Sequence, residues 1–167
     1  MTMSKPSLIL CMAFIASAAS AAAQATVRVE TANLQGPGPL QEQTGTAAIR
    51  DYLQSWQVFR AALEQNRADL LDPNFVGSAK DALTETIKQQ SALGISTRYQ
   101  DRAHDLQIVF YSPDGMSIEL TDRVDYDVQV LDHERVKTTQ HVSARYVIVL
   151  TPAEVRWRVR VFQGTPR

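Results

Sequence analysis

The chain holds a single cysteine in 167 residues, Cys11, and it lies in the N-terminal apolar run. Once that run is removed on export, the protein has no thiol, no disulfide and no thiolate metal site. Stability must then come from the core. Charge of one sign is lacking too. The formal net charge is −1, which leaves no electrostatic signature for nucleic acid or an anionic membrane. Histidine is scarce: His104, His133 and His141 stand at no metal-ligand spacing, and no His-Glu-x-x-His run occurs. A metal centre is therefore not expected. Gly-x-Ser-x-Gly, phosphate-loop and dinucleotide fingerprints are absent, so no nucleophile elbow and no nucleotide cofactor is expected. What remains, 44% hydrophobic and 21% charged, is the composition of an ordinary globular domain.

Residues 1–25 read as an export signal. Lys5 supplies the positive start, and Leu8-Ile9-Leu10-Cys11-Met12-Ala13-Phe14-Ile15-Ala16 the apolar stretch. Ala23-Gln24-Ala25 is a small-residue site that predicts cleavage before Thr26, with Ala21-Ala22-Ala23 as second choice. The strong apolar stretch is short for a bilayer span, so membrane association is expected only if the signal is uncleaved. Leu10 before Cys11 argues against lipidation. The expected location is periplasmic or secreted.

Residues 26–45 read as a flexible leader, because Gly36-Pro37-Gly38-Pro39 resists helix and strand alike. Val27 and Val29 allow a short edge strand as the alternative. One domain then spans residues 46–163, with residues 164–167 as a tail. The first helix is predicted from near Thr46. Ile49, Leu53, Trp56, Phe59 and Leu63 recur on one helical face. The pattern fades at Gln65-Asn66, and Asp72-Pro73 blocks continuation. A second helix is predicted from Ser78, a good N-cap, to a stop at Gly94.

From Ile95 the period becomes two. Leu106, Ile108 and Phe110 alternate with polar residues up to the turn Ser112-Pro113-Asp114-Gly115. Beyond it Met116, Ile118, Leu120, Val124, Tyr126, Val128 and Val130 share one parity. Such a strand is too long to stay flat, and a bend or bulge is predicted at Thr121-Asp122. In the last hairpin, a turn at Pro152-Ala153 would set Leu150 against Val155, Ile148 against Trp157 and Tyr146 against Val159. Trp157 is then core. Arg145, Arg156, Arg158 and Arg160 fall on the outer face, with Asp125 or Asp127 expected beside them. The fold class is α+β: two N-terminal helices on the concave face of a curved, mostly antiparallel sheet of about four strands.

In this order the chain resembles the nuclear-transport-factor-2-like superfamily, the cone-shaped domain also seen in SnoaL-like and ketosteroid-isomerase-like proteins. The resemblance covers about residues 46–163. It rests on the first helix with Tyr52 and Trp56, and on Phe75-Val76-Gly77 leading into Ala82-Leu83. The long strand after Pro113-Asp114-Gly115 and the closing Arg156-Trp157-Arg158-Val159 complete it. The resemblance implies a sheet curled around a helix, often with a pocket at the open end. It also implies a candidate general base, Asp72, in an Asp-Pro position, with Tyr52 as the candidate oxyanion partner; no second acidic donor has a counterpart here. The superfamily includes enzymes, small-molecule binders, interaction modules and envelope domains, so fold alone does not settle function.

With no complete acid–base set, the expected function is an exported non-catalytic binding or envelope-assembly module. Its cone would hold a small apolar ligand or a protein partner in a pocket lined by Tyr52, Trp56, Tyr99 and Tyr126. A homodimer is left open. The alternative is a small isomerase- or dehydratase-type enzyme that uses Asp72 as base with Tyr52.

Overall fold

In a computed structural model of the chain, residues 24–36 and 39–166 are described. The expected export signal lies outside them, apart from Gln24 and Ala25. The elements are β1 (Thr26–Val29), α1 (Glu42–Gln65), a 3-10 turn (Ala68–Leu71) and α2 (Gly77–Ala92). Four longer strands follow: β2 (Ile95–Tyr111), β3 (Ile118–Asp132), β4 (Arg135–Pro152) and β5 (Trp157–Pro166). The sheet has five strands in sequence order. β1 runs parallel to β2, and the other neighbours are antiparallel.

The leader differs from the flexible segment expected. β1 pairs Thr26 with Ala103 through to Val29 with Leu106. Glu30, Asn33 and Gln35 then donate backbone hydrogen bonds to Leu106, Ile108 and Val109. This is the edge strand allowed by Val27 and Val29, extended by a strap along β2. The first helix also begins earlier than predicted, at Glu42 rather than near Thr46.

The end of α1 is as the sequence predicts. Asn66 adopts a left-handed conformation, and Arg67 donates its backbone N–H back to Ala62. The α1 face turned to the sheet is rotated from the one predicted. Ala48, Tyr52, Ser55, Trp56, Phe59, Ala62 and Leu63 are buried, whereas Ile49 and Leu53 are only half-buried. Small residues at 48, 55 and 62 leave room for the helix to lie close to the strands. α2 starts at Gly77, and Ser78 is not its N-cap: its hydroxyl donates to the Arg160 carbonyl. α2 ends at Ala92, and Gly94 stands in the left-handed region as its stop signal.

The turn at Ser112–Ser117 closes as its residues dictate. Gly115 takes positive φ and donates to the Ser112 carbonyl, and the Asp114 carboxylate accepts from Ser112 Oγ and the Met116 N–H. The bend predicted at Thr121-Asp122 is not there. Those residues pair regularly with Gln107 and Leu106, and the irregularities lie instead at Asp101/Ala103, Ile108/Phe110 and Val130/Leu131. Asp122 interrupts the apolar alternation because a polar side chain occupies an inward position.

The register of the last hairpin also differs. Leu150 faces Val159, Ile148 faces Phe162 and Pro152 faces Trp157. A wider turn, closed by Ala153 N–H to the Arg156 carbonyl, and a bulge between Val149 and Leu150 produce the shift. Trp157 is consequently half-buried at the edge of the core. Its backbone N–H donates to Asp51 Oδ2 of α1 at 2.8 Å. The arginines of β5 do not meet Asp125 or Asp127. Arg158 donates instead to the carbonyls of Asp72 and Phe75, Asp127 pairs with Arg102, and Asp125 accepts from Ser143. β5 is separated from β3 by β4, so that contact was out of reach.

Candidate functional site

The concave side of the sheet is filled by rings. Trp56, on the middle turn of α1, is 1% exposed. Its indole centroid lies 5.1 Å from Phe59, 5.1 Å from His104 and 5.2 Å from Tyr146, with Tyr99, Tyr126 and Phe162 within 6.5 Å. The mostly tilted and edge-on arrangements are those aromatic rings prefer. Tyr146 stacks on Phe162 at 4.8 Å and shares a hydrogen bond with the Tyr126 hydroxyl. Opposite Tyr146 on β5 is Gly164. A Cβ there would stand 2.7 Å from the Tyr146 ring, so glycine makes the close approach possible.

A polar network is sealed into this core. The Tyr52 hydroxyl donates to Asp122 Oδ2 at 2.8 Å, and His104 Nδ1 meets the same oxygen at 2.7 Å. Asp122 and Tyr52 are both 0% exposed. His104 Nε2 lies 3.9 Å from Asp101 Oδ2, which in turn accepts from Arg60 Nη1 of α1 at 2.6 Å. The network therefore runs from α1 through β3 to β2 and back to α1. Burial opposes charge on His104, but Asp101 and Asp122 outweigh it and push its pKa up to about 9. His104 is thus a cation at neutral pH, a proton donor rather than a base. Burial pushes the Asp101 carboxyl up, yet its neighbours His104 and Arg60 leave it below the usual carboxylate range. Burial, then the Asp122 charge and hydrogen bond, hold the Tyr52 phenol well above its ordinary value.

The candidate pair of Asp72 and Tyr52 is not assembled. Asp72 follows the 3-10 turn with its side chain 61% exposed, paired with Lys80 at 2.9 Å. Tyr52 is committed to Asp122. With Asp72 in solvent, the enzyme reading loses the base it was built on. Trp56, Tyr99 and Tyr126 do come together, but as packed rings. Tyr99 alone of the four expected lining residues borders the main concavity. Among the described residues no three His, Cys, Asp or Glu side chains are grouped to hold a metal ion.

That concavity is a groove of about 980 Å³ beside the core. One wall is α1, through Leu53, Gln54, Gln57, Arg60 and Glu64; the other is β2 from Arg98 to Arg102, with His104. Gln24, Ala25 and Val27 border one end. Three ion pairs frame it: Arg60–Asp101 at 2.6 Å, Arg98–Glu64 at 2.7 Å and Arg102–Asp127 at 2.6 Å. Asp101 Oδ1 and Arg60 Nε are buried without a hydrogen-bond partner, as is Trp56 Nε1.

Sequence reasoning passed over His104, Asp122 and Asp101. The signal was present in part. Asp122 shares its parity with Leu120 and Val124, and His104 with Leu106 and Ile108, so both belong to the inward rows. A polar residue inside an apolar row marks a buried partner as readily as a bulge.

The sequence matches no family model and has no significant match among curated proteins. Its fold does have counterparts among solved structures. The intermembrane space region of the chloroplast protein ARC6 aligns with a TM-score of 0.58 at 12% identity, over 77% of this chain and 98% of that one. A putative scytalone dehydratase from Novosphingobium aromaticivorans aligns with a TM-score of 0.56 at 12% identity, over 76% of this chain and 89% of the other. At that identity the likeness concerns fold alone. The two helices, the curled five-stranded sheet and these counterparts together identify the fold as nuclear-transport-factor-2-like.

Proposed function

We propose that the chain is an exported, non-catalytic binding or assembly module that engages its partner in the groove between α1 and β2. One contrast carries this reading. The interior, where a catalytic pocket would lie, is filled by aromatic rings around Trp56, while the large concavity lies outside it. Asp122 and Tyr52 have no exposed surface, so a substrate has no route to them in this conformation. The groove is mixed in character, with three ion pairs and several glutamines beside Leu53, Tyr99 and Val27. It favours a hydrogen-bonding partner over the small apolar ligand expected from the sequence. Native mass spectrometry of protein exported by its own host tests this: a retained ligand or partner should be lost when Gln57→Trp fills the groove. Intact mass should show a chain starting at Thr26. A retained mass unaffected by Gln57→Trp sinks the site, and one that includes residues 1–25 sinks the export step.

A second reading rests on a specific observation. His104 and Asp101 border the groove, and His104 is joined to Asp122 and Tyr52. A dehydratase- or isomerase-type reaction would then use the His104 imidazolium as general acid, rather than Asp72 as base. Turnover of an enone or hydroxy-ketone panel that disappears in His104→Gln would favour it over the binding reading.

A further inference from the structure

We infer that the groove takes an extended peptide segment of a partner protein, added as a strand along the free edge of β2. This rests on the binding-module reading and names its partner class. The first observation is which residues line the groove. Arg98, Tyr99, Gln100, Asp101 and Arg102 all do so, five residues in a row. Successive side chains of a strand point to opposite faces, so a cleft bordered by both sets runs along the strand's edge rather than over one face. The opposite wall, Leu53, Gln54, Gln57, Arg60 and Glu64, is one stripe of a helix. A cleft with a helix on one side and a strand edge on the other is a geometry that accepts an added strand.

The second observation is that this edge is unpaired. β2 pairs with β3 along its length, but among the described residues its other side meets β1 only from Ala103 onward. Among the described residues no strand lies against that side from Ile95 to Arg102. Half of the main-chain groups on such an edge point outward and lack a partner in the sheet. The Ile95 carbonyl is satisfied by the Asn66 side chain, which marks the far end of the opening. The bulge at Asp101/Ala103, with Arg102 left opposite no residue of β3, lies where β1 stops.

The protein's own chain supplies the third observation. With the export signal still attached, Gln24 and Ala25, just upstream of β1, border the groove, so main chain running on from an existing partner of β2 reaches it; cleavage before Thr26 removes both residues from that place. A guest strand would continue that line. Arg98 to Arg102 spans about 13 Å at the strand rise, and Leu53 to Glu64 about 16 Å at the helix rise. The two walls thus match each other and hold about five extended residues. Each bordering arginine is paired with a carboxylate, so the groove offers no free charge for a phosphate or a strongly acidic ligand. Main-chain hydrogen bonds dominate recognition.

Short random peptides displayed on phage and panned against the exported protein supply the probe. The most enriched peptide is then synthesised with single backbone N-methyl groups at each position. Only alternate N–H groups of an added strand face the receiving edge. Methylation at one parity should therefore weaken binding about tenfold or more, and at the other parity should leave it nearly unchanged. Gln57→Trp should weaken binding about tenfold, Gln89→Trp on exposed α2 should not, and amide exchange at Tyr99–Arg102 should slow on binding. Panning that enriches nothing, equal tolerance of N-methylation at both parities, or protection elsewhere overturns strand addition. If strand addition falls while a non-peptide mass is still retained and lost in Gln57→Trp, the binding-module reading stands. If turnover depends on His104, that reading falls as well.

Discussion

The packed interior and the groove beside it share two elements, α1 and β2, yet they solve opposite problems. Inside, Trp56 and Tyr52 turn to the concave sheet, and a polar chain runs from Tyr52 through Asp122 and His104 to Asp101. Outside, the same helix presents Gln54 and Gln57 to an open cleft, with its charges paired across the opening. Asp101 and His104 belong to both regions. In low dielectric an unpaired polar group costs several kcal/mol, whereas near water a charge pair contributes little. The stability of the fold should therefore tolerate almost no change in the interior and nearly any along the groove.

The comparison can be broken most forcefully at Trp56. Trp56→Ala empties the centre of the ring cluster and should cost about 3–5 kcal/mol, read as a shift in the denaturant midpoint. An unchanged midpoint would mean that the rings do not form one cluster. Next is the pH dependence of His104. Its folded pKa, about 9, lies above the ordinary value near 6.5 for an unfolded chain. Its contribution is fully present below about pH 6.5 and is lost as pH rises through 9. The loss is on the order of 3 kcal/mol between those limits. Midpoints measured from pH 6 to pH 10 should fall accordingly, and His104→Gln should flatten this part of the profile. A rise with pH over that window would reverse the assignment of charge.

Gly164→Ala should be milder, about 1–3 kcal/mol, because the added methyl must displace a ring held by Tyr126 and Phe162. Thermal unfolding of this variant reports whether Tyr146 can give way. The smallest effect is expected at the groove wall. Gln57→Trp should change stability by no more than about 0.5 kcal/mol while closing the cleft. A larger loss would show that groove and interior are coupled rather than separate.

Legibility in the sequence followed the range of the interaction. The end of α1 near Gln65, the stop at Gly94 and the turn at Ser112–Gly115 depend on residues a few positions apart, and the structure has them where the spacing places them. The final hairpin was misread because Pro152-Ala153 resembles a tight turn. The wider turn closing at Arg156 and the bulge after Val149 answer to packing instead, bringing Phe162 onto Tyr146 and Val159 onto Leu150. Asp72 attracted notice through its neighbour Pro73, but an exposed carboxylate beside Lys80 has a local role.

Taken alone, the sequence determined the helical period of α1, the alternating rows of β2 to β5, the turn at Ser112–Gly115 and hence a two-layer α+β fold, because these depend on backbone sterics and on a side-chain period legible within one segment. Tertiary structure decided where the chemistry lies. Tyr52 and Asp122 are 70 positions apart, and His104 and Asp122 are 18 apart. Their meeting required the register of β2 on β3 and the rotation of α1 about its axis, and no local pattern encodes either. The groove arose in the same way: among the described residues β1 pairs with β2 only from Thr26 onward, and the earlier part of β2's edge lies open beside the helix.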